Sequence, residues 1–523
     1  MSVMQALARA EAAVRGRAVP AATVRHLRLA AEPVVLVLLT TAGEAGAPLG
    51  AMVGWRREAP ELLVVPQPLN RDLRFAFFAD LAGVLLPRLA EYEDRVEAEP
   101  AGDRARAGDP VELCADAPQI VVPNSTTLEY VRLIGRSTRF LRTADDPDAP
   151  HPVPAPVPLL GRWLTHYAER ARTPGSALLW AVTDQLTRHW TTGQSAMEDQ
   201  HLGALLGWID PPPGMDGAAA AARAETGRGP DGLLFSPPAG PATDPAFDNR
   251  VLAPALARYD AARGGGAAAR AAEAEVRELV ASQLRPTWED VWRGIDLLRT
   301  LPEAAHAEER WRRDRWSFTG HRDRVRAGEP PQPKRDDAIT AAQKLAGREA
   351  AQARLLAQEA LDDPLAMAER RLAGEAFTGR VTGVEMAYSD SKRPTPRPLV
   401  TVETADLPQA EPGAKAYRAL PTAKSAQSAQ LVAVESADGP GQPRGAWLVT
   451  VRLTGGMGSG RTPKEGSVPS PGDTVTFTFF EHEPRGGPAL PEAENTPWTH
   501  GGPPGAAAPV PEPPDPVTAE DYL

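Results

Sequence analysis

The sequence predicts an α+β multi-domain protein: an N-terminal α/β unit, a central helical region, a long helix and a C-terminal small β-barrel. Three observations carry this. Short apolar runs punctuated by Gly and Pro fill the first 140 or so residues. Apolar residues at helical spacing dominate 159–328. Five β-rich runs then follow an Ala/Gln/Glu-rich helix, separated by Gly/Pro/Ser loops.

Taken in order, 1–143 reads as a mixed α/β domain. Val34 to Thr41, Gly50 to Trp55 and Leu62 to Val65 suggest a strand meander, and Gln119 to Val122 a further strand. Asp72 to Tyr92 holds Leu73, Phe77, Phe78, Leu81, Leu85, Leu86 and Leu89 at helical spacing. Thr126 and Glu129 read as a capping box, in which hydroxyl and carboxylate satisfy orphan amides at a helix start. Residues 144–158 form a Pro-rich linker. The helical domain then comes in two parts, 159–210 and 249–328, around a Pro/Gly/Ala-rich segment, 211–248, expected to be a disordered loop. Thr173-Pro174 reads as an N-cap followed by proline at the first helical position, and Ser195-x-x-Glu198 as a second capping box. Thr287 is expected to cap a separate helix after Leu284.

Residues 329–336 (Glu-Pro-Pro-Gln-Pro-Lys-Arg-Asp) read as a linker. Lysine is absent before Lys334, and the remaining 190 residues from there on hold all six, so composition changes where the prolines cluster. The helix 337–376 should bend near Pro364. The barrel, 377–483, is read from Phe377 to Ser389, Leu399 to Ala405, Leu431 to Ser436, Trp447 to Leu453 and Thr474 to Glu481. The tail, 484–523, is acidic, Pro-rich and expected to be disordered.

Composition narrows the function classes. With 523 residues, several domains are expected. The net charge of −11 argues against a wholly basic, nucleic-acid-coating surface and leaves local basic patches open. Cys114 is the single cysteine. It permits no intramolecular disulfide and no cysteine-rich zinc site, which fits a cytoplasmic location. The longest strongly apolar run, Val34 to Leu39, is far short of the roughly 20 residues that span a bilayer, so no membrane association is expected.

No motif establishes a reaction. Gly455 to Thr462 approaches a phosphate-binding loop, but Arg461 stands where lysine is needed, and Pro463, Gly466 and Pro469 oppose the helix that must follow. His321-Arg322-Asp323 lacks the remaining kinase elements. Glu198-x-x-His201 and Glu303-x-x-His306 share the spacing of carboxylate-bridged di-iron bundles without the two further glutamates. No metal site and no cofactor are therefore expected.

The segment from Glu308 to Arg335 is different. It interleaves nine basic residues with five acidic ones and with Trp311, Trp316 and Phe318. Arginine grips phosphate with a planar fork, and an aromatic ring can stack on a base. The candidate nucleic-acid contacts are Arg312, Arg313, Arg315, Trp316, Arg322 and Arg324, with Arg380 and Arg393 on the barrel. Tyr388, Lys392, Arg397, Arg452 and Arg461 extend that barrel surface. The plainer alternative is an arginine-rich helix paired with its own acids, its tryptophans in the core.

The barrel resembles OB-like and related small barrels, including those inserted into superfamily 1 helicases. That resemblance implies binding of single-stranded nucleic acid or of a helicase-like protein partner. Through WTTGQSAMEDQHLGALLGWIDPPPG and its arginine-only first part, the whole chain resembles uncharacterised multi-domain proteins of high-GC actinobacteria, which implies no activity. The expectation is a non-catalytic accessory or scaffold protein that binds nucleic acid or a nucleic-acid-processing partner. The alternative is an enzyme of unknown reaction, with metal dependence left open, and with a site around His166, His189, Glu198, Asp199 and His201.

Overall fold

The computed structural model describes residues 3–99, 111–262, 265–420, 426–437, 445–458 and 460–484. The tail expected to be disordered lies, from residue 485 on, outside the described residues.

The predicted α+β organisation is present. The N-terminal sheet has five strands in the spatial order Glu61–Val64, Glu44–Gly54, Val34–Thr41, Ile120–Val122 and Leu179–Ala181. The first three pair antiparallel, as the expected meander; the last two add parallel. Val34 to Leu39 are all buried, which is why the central strand reads as a continuous apolar run and not as an alternation.

Helix Arg71–Glu93 starts at Asn70, whose side chain accepts from the amides of Asp72 and Leu73. Helices Ser125–Thr138 and Val157–Ala171 pack against each other, and the 33-residue helix Ala267–Arg299 lies over the central strands. One apolar core runs from Leu27 to Phe318. Residues 1–143 and 159–328 thus share a core, because Leu179–Ala181 joins the sheet and Val280, Leu284 and Trp288 cover it.

Several local expectations are corrected. Asn124, not Thr126, caps Ser125–Thr138; its side chain reaches the Thr127 amide, and Glu129 pairs with Arg132. Thr173-Pro174 forms a turn closed by the left-handed Gly175 (φ +83°) and leads to a strand, not a helix. Helix Ala267–Arg299 continues through Pro286, so Thr287 caps nothing. The 211–248 segment carries helix Gly217–Thr226, whose Ala221 and Ala224 pack on Ala204 and Trp208. Its alanines and glycines lack the bulk that marks a core in sequence, yet they allow close approach to an indole.

The expected bend near Pro364 separates helices Ala338–Asp362 and Pro364–Leu372, with Asp363 capping the second. The barrel then closes with six strands, one more than was read. Around it the order is Ala376–Glu385, Leu399–Thr404, Trp447–Leu453, Gln427–Ser436, Lys415–Arg418 and Thr474–Thr478, which returns to the first. The missed strand, Lys415–Arg418, is four residues between a Pro-Gly turn and Pro421, too short to show alternation. The barrel has its own core, centred on Phe377 and Phe477 with ring centroids 5.5 Å apart. Among the described residues no helix is long and apolar enough to cross a membrane.

Candidate anion-binding cleft

The Arg/Trp segment folds as helix Ala307–Arg326, and its side chains divide by face. Trp311 and Phe318 are core residues. Arg315 is buried, donates to the Cys114 carbonyl at 2.9 Å and pairs with Glu97. Arg322 is buried and donates to the Glu93 carbonyl at 2.8 Å and to Cys114 Sγ at 3.2 Å. Arg313 is half-buried and paired with Glu309. These three expected contacts are therefore engaged inside the protein, and the plainer reading holds for that face. Arg312, Trp316 and Arg324 remain on the surface, as do Arg380 and Arg393 on the barrel. Of these, Arg324 lines a cleft, and Arg380 and Arg393 do not line it.

What the fold does assemble is a cleft of about 660 Å³. Helices Ser125–Thr138, Val157–Ala171, Ala307–Arg326 and Ala338–Asp362 wall it, together with the Pro-rich segment around 332–336. Arg136, Arg139, Arg170, Arg172, Arg324, Lys334, Lys344 and Arg348 line it, against only Glu169 and Asp336. Eight cations facing two carboxylates in one concave surface focus positive potential, whatever the net charge of the chain.

Internal bonds set the cleft's shape. Arg139 Nε donates to the Gln332 carbonyl at 2.9 Å and Arg136 to the Lys334 carbonyl at 3.2 Å, which ties the expected linker onto the Ser125–Thr138 helix. Arg348 and Arg172 pair with Glu169 at 3.1 and 3.7 Å, and Lys344 with Asp336 at 2.5 Å. Buried Asp314 holds Arg170 at 2.7 Å. Arg324 is exposed and makes no side-chain hydrogen bond or ion pair among the described residues.

Under Arg324 lie two stacked imidazoles. His166 and His321 have ring centroids 4.2 Å apart and 6° between planes, and Trp163 meets His321 edge-on at 4.7 Å. Burial drives both histidines toward the neutral form: His166 falls well below its ordinary value, and His321 is lowered to about 3. The Arg324 charge pushes the same way on both. Among the described residues neither ring nitrogen of His321, nor Nε2 of His166, has a hydrogen-bond partner.

The residues of the enzyme reading are scattered. His166 sits in this cleft, but His189 stacks on His26 at 6.0 Å and bonds the Gln185 carbonyl. Glu198 forms the expected capping box with Ser195 at the short helix Glu198–Gln200, while His201 caps Leu202–Ile209 through the Ala204 amide. Asp199 accepts from Thr192 and Gln194 beside a separate 210 Å³ pocket. Glu303 pairs with Arg25, and His306 with Asp362. Among the described residues no group of three metal-ligating side chains converges.

Sequence reading missed Arg136, Arg139, Arg170, Arg172, Lys344 and Arg348. A signal existed in the helical spacing of Arg132, Arg136 and Arg139 and in Lys344 and Arg348 four apart, each of which lays cations along one face. That the two faces oppose each other is a tertiary fact. Comparisons with family models, with curated proteins and with solved structures found no match.

Proposed function

We propose that the chain is a non-catalytic accessory protein that holds a phosphate-bearing polymer, single-stranded nucleic acid, in the cleft between the body and helix Ala338–Asp362. The observation that carries this reading is the eight-to-two excess of cations in a concave site of about 660 Å³. Guanidinium groups suit phosphate through paired, planar donors, and positive grooves that track a backbone are how proteins bind single strands without reading sequence. The barrel, read as OB-like, supports the same function with Arg380 and Arg393 exposed and Tyr388 under the Arg461 guanidinium at 5.5 Å. A helicase-like protein is the partner such a module would serve, in the cytoplasm.

Anisotropy of a labelled single-stranded oligonucleotide, titrated with the full chain at low salt, tests this. Binding should weaken with salt. Arg324→Gln and Arg348→Gln should each weaken it further and lower the salt slope by about 0.7 per lost phosphate contact. No binding at low salt, or binding indifferent to both substitutions, overturns the proposal.

A further inference from the structure

Next to the cleft is a second pocket, of about 190 Å³, that shares Arg170, Thr173 and Gly347 with it. Its charged lining is entirely arginine: Arg170, Arg310, Arg313 and Arg354. We propose that these four guanidinium groups form a discrete site for a phosphomonoester, either the terminal phosphate of a strand lying in the cleft or a free phosphate ion.

The state of the arginines supports an anion. Arg310 is only 5% exposed, donates to the Gln358 side-chain oxygen at 2.7 Å and to the His26 carbonyl at 2.9 Å, and among the described residues has no partner at Nε. Arg354 donates to the Pro484 carbonyl at 3.3 Å. Neither is ion-paired among the described residues, although a buried guanidinium without a counter-charge is costly. Arg170 and Arg313 are held by Asp314 and Glu309, which fixes the guanidinium positions while leaving the pocket wall cationic. Glu359, Asp362 and Glu309 act on Arg310 only from a distance, as Glu483 does on Arg313.

The pocket is also shaped for a small group. Gly175, in the left-handed region, lets its turn approach Arg310 closely; a Cβ there would lie 2.8 Å from Arg310 Cδ. The volume falls below the roughly 300–1,000 Å³ of ordinary small-molecule sites, which suits an end group more than a whole nucleotide. A dianion here would gain charge-assisted bonds from several forks at once.

This inference rests on the cleft reading for its polymer form only; the pocket itself is tested with phosphate alone. Calorimetry of the full chain with inorganic phosphate should show binding that Arg354→Gln and Arg313→Gln weaken by about tenfold each, with melting temperatures confirming that both variants fold. In parallel, 5′-phosphorylated, 3′-phosphorylated and unphosphorylated oligonucleotides of one sequence are compared. One phosphorylated end should bind about tenfold tighter, and Arg354→Gln should remove that gain without changing the unphosphorylated strand. Phosphate binding without an end effect assigns the site to free phosphate. Phosphate binding with no oligonucleotide binding removes the cleft reading and keeps this one. No phosphate binding to about 10 mM and no end effect overturns the site.

Discussion

Asp362 accepts a hydrogen bond from the His306 ring at 2.6 Å, and the same carboxylate takes the His306 amide at 3.0 Å. The bond to Asp362 raises the His306 pKa above its ordinary value despite partial burial. The adjacent Asp363 accepts from the Thr23 amide and hydroxyl at 2.8 and 3.0 Å and contacts His26 at 3.3 Å. Two consecutive aspartates at the break before Pro364 therefore fasten the barrel-bearing helix pair to the N-terminal body, and with it one wall of the cleft.

Removing that fastening should be costly. Asp362→Ala leaves the His306 donors unanswered, an expected loss of about 1.5–3 kcal/mol. Asp363→Ala removes a helix cap as well as three donors' acceptor, and the cap alone contributes about 1 kcal/mol. Calorimetric unfolding of each variant checks this. Limited proteolysis should show faster cleavage within 329–336 in both, and wild-type rates there would show that the contacts do not hold the helix.

Acid should destabilise the protein through its buried histidines. Burial lowers His26, His166, His201, His321 and His482, and lowers His189 to about 4. A histidine held neutral in the fold contributes stability that is present above the unfolded value near 6.5 and is lost as pH falls toward its folded value. His306 has the opposite sign: its contribution is present below about 6.5 and is lost as pH rises through its raised value. Among the histidines, six against one predicts a net fall in stability from pH 7 to 4, opposed in part by Asp290, whose burial raises its carboxyl to about 6 and which contributes stability as pH falls through that value. His321→Phe keeps an aromatic ring beside Trp163 and should lessen the loss of stability by up to about 1.4 kcal/mol per pH unit. An unchanged acid profile in His321→Phe would refute this.

The arginines of helix Ala307–Arg326 should separate into two classes. Arg315→Ala and Arg322→Ala strip buried donors from the Cys114 and Glu93 carbonyls, and each is expected to cost about 1–3 kcal/mol of stability. Arg324→Ala should leave stability within about 0.5 kcal/mol of wild type, as for a surface position, and lower oligonucleotide affinity. Thermal melts and anisotropy on the three variants, side by side, decide it.

That division shows what a sequence can carry. The periodicity of Arg71–Glu93, the apolar run of Val34–Thr41 and the Pro364 break are local, and local chemistry determines them. The burial of Arg315 is not local: it follows from the carbonyl of Cys114, two hundred residues away, facing the helix. Arginine spacing alone cannot distinguish a fork that grips a carbonyl from one that faces solvent. The strand Leu179–Ala181 was missed for a related reason, since three residues take strand form there only because Ile120–Val122 offers an edge. The cleft combines both difficulties, with its cations spread over four helices and its histidine pair joined across helices 155 residues apart in sequence.

The floor of the cleft depends on two glycines. Helices Ser125–Thr138 and Val157–Ala171 cross where Gly135 faces Thr165 and Gly161 faces Thr138 and Arg139. A Cβ at Gly135 would come within 2.6 Å of the Thr165 amide nitrogen, and one at Gly161 within 2.5 Å of the Arg139 amide nitrogen. Backbone atoms cannot move aside as a flexible side chain can, so the helices themselves must separate. Alanine ordinarily favours a helix over glycine by about 1 kcal/mol, while overpacking costs about 1–3 kcal/mol; at this crossing the second effect should prevail. Gly135→Ala and Gly161→Ala are therefore expected to lower the melting temperature. They should also weaken oligonucleotide binding, because Arg136 and Arg139 ride on one helix and Arg170 and Arg172 on or just after the other. Gly347→Ala serves as the control: Gly347 also lines the cleft, but an added Cβ meets nothing within 4 Å. It should stabilise helix Ala338–Asp362 slightly and leave affinity unchanged. A stabilising effect at Gly135 or Gly161 comparable to that of Gly347→Ala would mean that the crossing is looser than the geometry shows.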